Sequence, residues 1–246
     1  MPQPKHAACL GYAGLCVALA LLWQFLTVRY NYGGNWTALY YTGAFARVPS
    51  DLAAEKVYRI PKTRGYDGLY YHFLAHDPLL LNRTGLYLDN PPWRWRQILA
   101  PGAAYLLALG QAAYVDAAFF AVMLTFLFLG AYWLSRYCVR WGVPPAWGMC
   151  FALTPTAVTS LDRMTIDLPL SALCVGFALY AGEPGWKAFP ILTLAPLARE
   201  TGLLLLLGYG LFAVLRRERR LALTVAACAL PALAWFWFVQ QHTAPD

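Results

Sequence analysis

Charge is scarce in this chain: 13% of its 246 residues are Asp, Glu, Lys or Arg, against 60% hydrophobic and 16% aromatic. That balance excludes an ordinary water-soluble fold and points to a bilayer. Acidic residues are the rarest charges, 12 against 19 Lys and Arg, giving a formal net charge of +7. The basic residues form no nucleic-acid-binding stripe. They fall in the 29–97 region and in short clusters beside apolar runs, notably Arg216, Arg217, Arg219 and Arg220, which is the distribution of topology signals. Of six cysteines, five (Cys9, Cys16, Cys150, Cys174, Cys228) lie inside apolar runs, Cys138 lies at the edge of one, and no CxxC pair occurs. A disulfide framework and a cysteine zinc site are therefore not indicated. Internal repeats and low-complexity tracts are missing too. The first apolar run, about 8–28, has no small-x-small cleavage site before Arg29, so it reads as an uncleaved membrane helix and not as a signal peptide.

What is present is one hydrophilic, Tyr/Arg/Pro-rich segment, 29–97, followed by an almost continuously apolar chain. The breaks "SRYCVRWGVPP", "LDRMTID", "GEPGWK", "ARET" and "RRERR" divide that chain into helical segments near 98–111, 115–137, 145–160, 167–182, 188–198, 200–215 and 221–240. The expected fold is an all-α, polytopic integral membrane protein. It forms a single membrane domain over 1–246, with seven to eight helical membrane segments and 29–97 as an outer loop subdomain. Lys and Arg resist translocation, so Lys5, Arg136, Arg140, Lys187 and the 216–220 cluster are expected on the cytoplasmic side, with the N-terminus. Alternation then requires 98–111, about 21 Å long as a helix, to stop short of crossing a hydrocarbon core of about 30 Å. Seven crossings result, and the polar motifs converge on the outer side.

Those motifs each admit two readings. In "GYDGLYYHFLAHDP" (65–78), Asp67 precedes a short helix that Pro78 ends; it is either an N-cap or a carboxylate acting as general base toward a hydroxyl, with Tyr66 and Tyr70 beside it as substrate contacts. Asp77 is the second candidate carboxylate. His72 and His76, four apart on one helix face, either hold a divalent metal with Asp77 or are solvated or tyrosine-stacked histidines. "WRWRQ" (93–97) offers Arg94 and Arg96 as interface anchors or as a planar fork for phosphate. Asp162, Arg163 and Asp167 of "LDRMTID" form a hairpin with a helix cap or a ligand site. Arg199 and Glu200 of "ARET" at membrane depth are costly unless paired, Glu200 orienting Arg199 or meeting an arginine of the outer loop.

A first membrane helix, a long loop with a carboxylate in "YDG", an arginine-bearing "RWRQILAPGAAYLLALG", and helix pairs turning at "LDRMTIDLPLSAL" and "LAPLARETGLLLL" together resemble the polytopic glycosyltransferases of the GT-C superfamily, in particular its uncharacterised bacterial members. The resemblance covers about 30–215. It implies a polyprenyl-phosphate-linked sugar donor, membrane lipids as partners with no nucleic acid, and an outer-facing site in the bacterial inner membrane. It also implies Asp67, or next Asp77, as the loop carboxylate and Arg94, Arg96, Arg163 or Arg199 as phosphate holders. The family usually carries more membrane helices than are found here. The rival readings are a non-catalytic lipid-phosphate-binding or assembly protein and a small secondary transporter. The only cofactor the residues suggest is a divalent metal.

Overall fold

A computed structural model of the protein describes residues 3–243 apart from 54, 80 and 184. The described residues contain no strand, only two isolated bridges, Thr42 to Gly65 and Gly43 to Ile60. The helices are α1 (Gln3–Asn31), α2 (Ser50–Ala53), α3 (Gly68–His76), α4 (Pro91–Arg96), α5 (Leu99–Leu107), α6 (Ala112–Arg140), α7 (Pro155–Arg163), α8 (Asp167–Tyr180), α9 (Ala188–Ala198), α10 (Leu203–Leu215), α11 (Arg219–Cys228) and α12 (Leu230–Thr243).

Three stretches are long and apolar enough to cross a membrane: His6–Asn31, Ala112–Arg140 and the joined α11 and α12, Arg219–Thr243. The protein is thus an all-helical membrane protein with three candidate spans. Two faces of α1 explain its place: Cys9, Ala13, Cys16, Gln24 and Val28 are buried, while Leu15, Leu19, Leu22, Trp23 and Leu26 are exposed. The buried set recurs at multiples of three to four residues and the exposed set fills the opposite side, as a helix with one side against protein and one against hydrocarbon requires. α8, α9 and α10 have 14, 11 and 13 residues, about 21, 17 and 20 Å at 1.5 Å per residue, too short to cross alone.

α6 is the central pillar, packed against α1, α5, α8 and the 145–153 segment. It stops where Gly142 takes φ +74° and Val143 N–H donates 2.9 Å back to the Cys138 carbonyl, a glycine-assisted helix end. The return stretch is not the single helix expected over 145–160. Pro145–Leu153 is a 3₁₀ helix, and Pro155 forces Thr154 into an extended conformation that ends it. The Thr154 hydroxyl then accepts from Ala157 N–H to start α7. Gly148 lies so close to α6 that a Cβ there would sit 1.9 Å from Ser135 Oγ and 2.6 Å from the Ala131 carbonyl oxygen. Small residues permit that approach, the usual means of helix association in lipid.

The molecule has two chemically different ends. At one, His6 Nε2 meets Tyr132 Oη at 2.9 Å, Arg136 donates to that hydroxyl, and Arg140 donates to the Leu179 carbonyl. Lys187 sits over Tyr180, and Tyr209 donates to the Ala181 carbonyl. At the other end, residues 32–97 lie on the N-terminal part of α6 and the junctions α7–α8 and α9–α10. One continuous buried cluster joins both regions, from Tyr40, Phe73 and Trp95 in the 32–97 segment to Phe119, Met123 and Leu168 in the helices.

Candidate functional site

The polar end is organised around α3 and one buried guanidinium. Asn90 opens α4 by accepting from Trp93 N–H. The one-turn helix then points Arg94 inward and Arg96 outward, since residues two apart lie on opposite sides. Arg94 is 3% exposed. Its Nε and one terminal nitrogen donate to the two Asp89 carboxylate oxygens, both at 2.9 Å, and that same nitrogen donates to Asp67 Oδ1 at 2.8 Å. The other terminal nitrogen donates to Tyr71 Oη at 3.2 Å. Its plane also faces the rings of Trp93 at 4.6 Å and Tyr70 at 4.7 Å. Two carboxylates and a hydroxyl thus use its charge internally, so Arg94 is a fixture of the site and has little left for a phosphate.

The network continues. Tyr71 Oη donates to Gln97 Oε1 at 2.5 Å, and Gln97 Nε2 donates to Glu200 Oε2 at 3.0 Å. The Trp93 indole N–H donates to the other Glu200 oxygen. Burial pushes the Tyr71 phenol up to about 12, so it remains a neutral donor, and the hydrogen bond from Arg94 holds Asp89 below the usual carboxylate range. Arg199 pairs with Asp167 and not with its neighbour Glu200, which corrects the expectation for "ARET". The reason is local: Arg199 is extended, at φ −157° and ψ 144°, and Glu200 begins a helical turn, so the two side chains leave in different directions.

Asp67 is placed by the backbone. Tyr66 N–H donates to the Tyr41 carbonyl, next to the Thr42–Gly65 bridge, and Gly68 lets α3 touch the end of α7, where a Cβ would lie 2.0 Å from the Arg163 carbonyl oxygen. Asp67 makes no side-chain cap. One oxygen is held by Arg94, the other has no partner among the described residues, and the side chain is 46% exposed. Beside it, the Arg163 guanidinium lies 4.5 Å from the Tyr41 ring centre and 4.7 Å from that of Tyr66. No hydrogen bond or ion pair engages Arg163 among the described residues. Two aromatic rings fix its plane while its N–H edge stays free, a pre-oriented fork for an anion.

The other expected residues are distributed as follows. Asp77 accepts from Leu81 N–H, Asn82 N–H and the Thr84 hydroxyl, so both its oxygens hold the 81–84 turn. Arg96 reaches α12, donating to Gln240 Oε1 at 3.4 Å over the Phe236 ring. Asp162 lies toward Tyr32 and joins none of these groups. His72 and His76 are together, but the carboxylates that meet them are Asp116 and Glu55, not Asp77. A cavity of about 460 Å³ lined by Arg47, Arg64, Leu69, Tyr70 and Asp89 opens beside Arg94. An apolar groove of about 290 Å³ runs between α1 and 145–161, from Cys16 and Trp23 to Leu161, two residues from Arg163.

Sequence reasoning missed Asp89, Tyr71, Gln97, Tyr41, Glu55 and Asp116. Only Asp116 carries a signal, as the single acidic residue in a 29-residue apolar helix. No protein family, curated protein or solved structure matches the chain, so its chemistry is read from this geometry alone.

Proposed function

We propose that the protein is a glycosyltransferase of GT-C-like architecture in the bacterial inner membrane, moving a sugar from a polyprenyl-phosphate-linked donor to an acceptor hydroxyl on the outer face. The observation that carries this reading is the half-free Asp67 carboxylate beside the unpaired, ring-clamped Arg163. In this scheme Asp67 takes the proton of the acceptor hydroxyl. The acceptor oxygen attacks the anomeric carbon, and the bond from that carbon to the phosphate oxygen breaks with its electron pair. Arg163 stabilises the charge left on the polyprenyl phosphate. The groove ending at Leu161 gives the prenyl chain a lateral approach, and the polar cavity at Tyr70 and Asp89 receives the sugar.

The proposed topology has seven passes between the two ends of the molecule: α1, α6 and α11 with α12 span the full bilayer, while 145–163, α8, α9 and α10 are shorter passes packed between them. α5 stays on the outer side and the N-terminus is cytoplasmic. Support comes from charge segregation, because His6, Arg136, Arg140 and Lys187 gather at the end opposite Asp67.

The test is release of polyprenyl phosphate by purified protein from a panel of lipid-linked sugars. Turnover with one donor, lost in Asp67→Asn, is expected; no turnover with any donor counts against catalysis. One feature favours a second reading, a lipid-phosphate-binding protein without turnover: Arg94 already holds one of the two Asp67 oxygens. In that case Asp67→Asn leaves lipid binding unchanged, Arg163→Ala abolishes it, and no product forms with either.

A further inference from the structure

α3 carries a second cluster toward its C-terminal end, about 13 Å along the helix from Asp67 to His76. His72 is fully buried and stacked on Tyr40, ring centres 4.0 Å apart and planes 6° apart. Its Nε2 lies 2.9 Å from Asp116 Oδ1, yet neither ring nitrogen has a hydrogen-bond partner, so the close approach is not along an N–H direction. The Tyr40 hydroxyl is buried beside the same Asp116 carboxylate. His76 Nε2 is 3.5 Å from the same Asp116 oxygen, and its Nδ1 is 3.8 Å from Glu55 Oε1. One ligand atom from each of Glu55, His72, His76 and Asp116 fits within 4.8 Å of all the others.

Orphaned nitrogens on a buried ring are rare, because a buried polar group without a partner is costly. Here they belong to a His₂ and two-carboxylate set converging on one point. Ligands about 2.0–2.2 Å from an ion lie at most about 4.4 Å apart, so the set closes on a cation with shifts of a few tenths of an ångström. Two carboxylates neutralise a dication, and two imidazoles select against Mg²⁺ and Ca²⁺, which take oxygen ligands. A cavity of about 310 Å³ reaching Glu55 and His76 from Pro49, Asn82 and Tyr105 gives an entry path. We infer that Glu55, His72, His76 and Asp116 form a binding site for a first-row divalent transition ion, with zinc the closest match. The ion would tie the 32–65 segment to α3 and to the first turns of α6. This inference stands apart from sugar transfer, since the Asp67 and Arg163 geometry does not enter it.

The rival is a histidine–aspartate ion pair that binds no metal. The experiment uses the full chain in detergent, stripped with EDTA, then titrated with Zn²⁺ or Co²⁺ with Mg²⁺ as control. Expected are one equivalent of Zn²⁺ retained through gel filtration, visible Co²⁺ absorption of a low-coordinate nitrogen and oxygen site, and a Zn²⁺-dependent rise in melting temperature. Binding 100-fold above Kd corresponds to about 2.7 kcal/mol. Glu55→Gln and His76→Asn should each weaken Zn²⁺ at least tenfold, and Asp116→Asn should abolish stoichiometric binding. If the Asp116 or His76 variants fail to fold, Glu55→Gln decides, because that side chain is 31% exposed and lies at the rim. Wild-type protein that retains no Zn²⁺, or Zn²⁺ affinity unchanged in Glu55→Gln, overturns the site in favour of the ion pair.

Discussion

Asp67, Arg94 and Arg163 differ in what each can lose. Asp67→Asn leaves Asp89 on Arg94, so the fold should persist while transfer falls by about 10²–10⁴, the usual worth of a general base; wild-type rates in that variant would remove Asp67 from the chemistry. Arg94→Met strands two carboxylates around a buried gap, and breaking such a pair costs about 3–5 kcal/mol when the site is dry. Asp67 and Asp89 are 46% and 44% exposed, so solvent should reduce the loss below that range. Thermal unfolding in detergent should show Arg94→Met less stable than wild type and Arg163→Ala unchanged. Asp89 adds a pH signature. Its folded-state pKa is depressed, chiefly by the Arg94 hydrogen bond, so its contribution is full above the unfolded value of about 3.9 and fades as pH falls through the lower folded value. Stability measured from pH 6 to pH 3 should fall less in Asp89→Asn than in wild type. At this scale the sequence draws attention to polar residues set in apolar or aromatic surroundings, and Asp67, Arg94 and Arg163 all lie at the polar end of the molecule. It misled where identity depends on distant partners: Arg199 and Glu200 are neighbours in the chain, yet they pair with Asp167, Trp93 and Gln97, which lie 32 to 107 residues away.

Among the elements, the long helices α1 and α6 were legible because apolar length alone defines them, and α3 was legible because Asp67 and Pro78 bracket it. The 145–163 return was not. Its hydrophobicity reads as one helix, and the proline that breaks it, Pro155, was outweighed by that run. The close contact of this return with α6 has a measurable consequence. Gly148→Ala places a methyl group against Ser135 and the Ala131 carbonyl, and overpacking of this kind costs about 1–3 kcal/mol. A lowered melting temperature is expected for Gly148→Ala, partly restored by Ser135→Gly, which removes the nearest atom. Full stability in Gly148→Ala would mean that the return sits farther from α6.

For the whole molecule, charge segregation gives the most direct test of the proposed orientation. A reporter fused after Lys187 or Arg220 should report cytoplasm, and one inserted within 55–62 should report the outer compartment; a cytoplasmic signal from the latter would move every site residue to the wrong side. Sequence reasoning proposes this orientation from arginine placement, which acts over the whole chain without knowledge of any contact. One contact has a consequence in time. The buried Gln24 amide donates 2.8 Å to the Leu161 carbonyl, 137 residues further along the chain. At a synthesis rate of about 5–20 residues per second, α1 waits roughly 7 to 27 s in the membrane before that acceptor exists. During biogenesis Gln24 must therefore borrow a temporary partner, water at the interface or an insertion factor, and the order of assembly is written into the distance between these two residues.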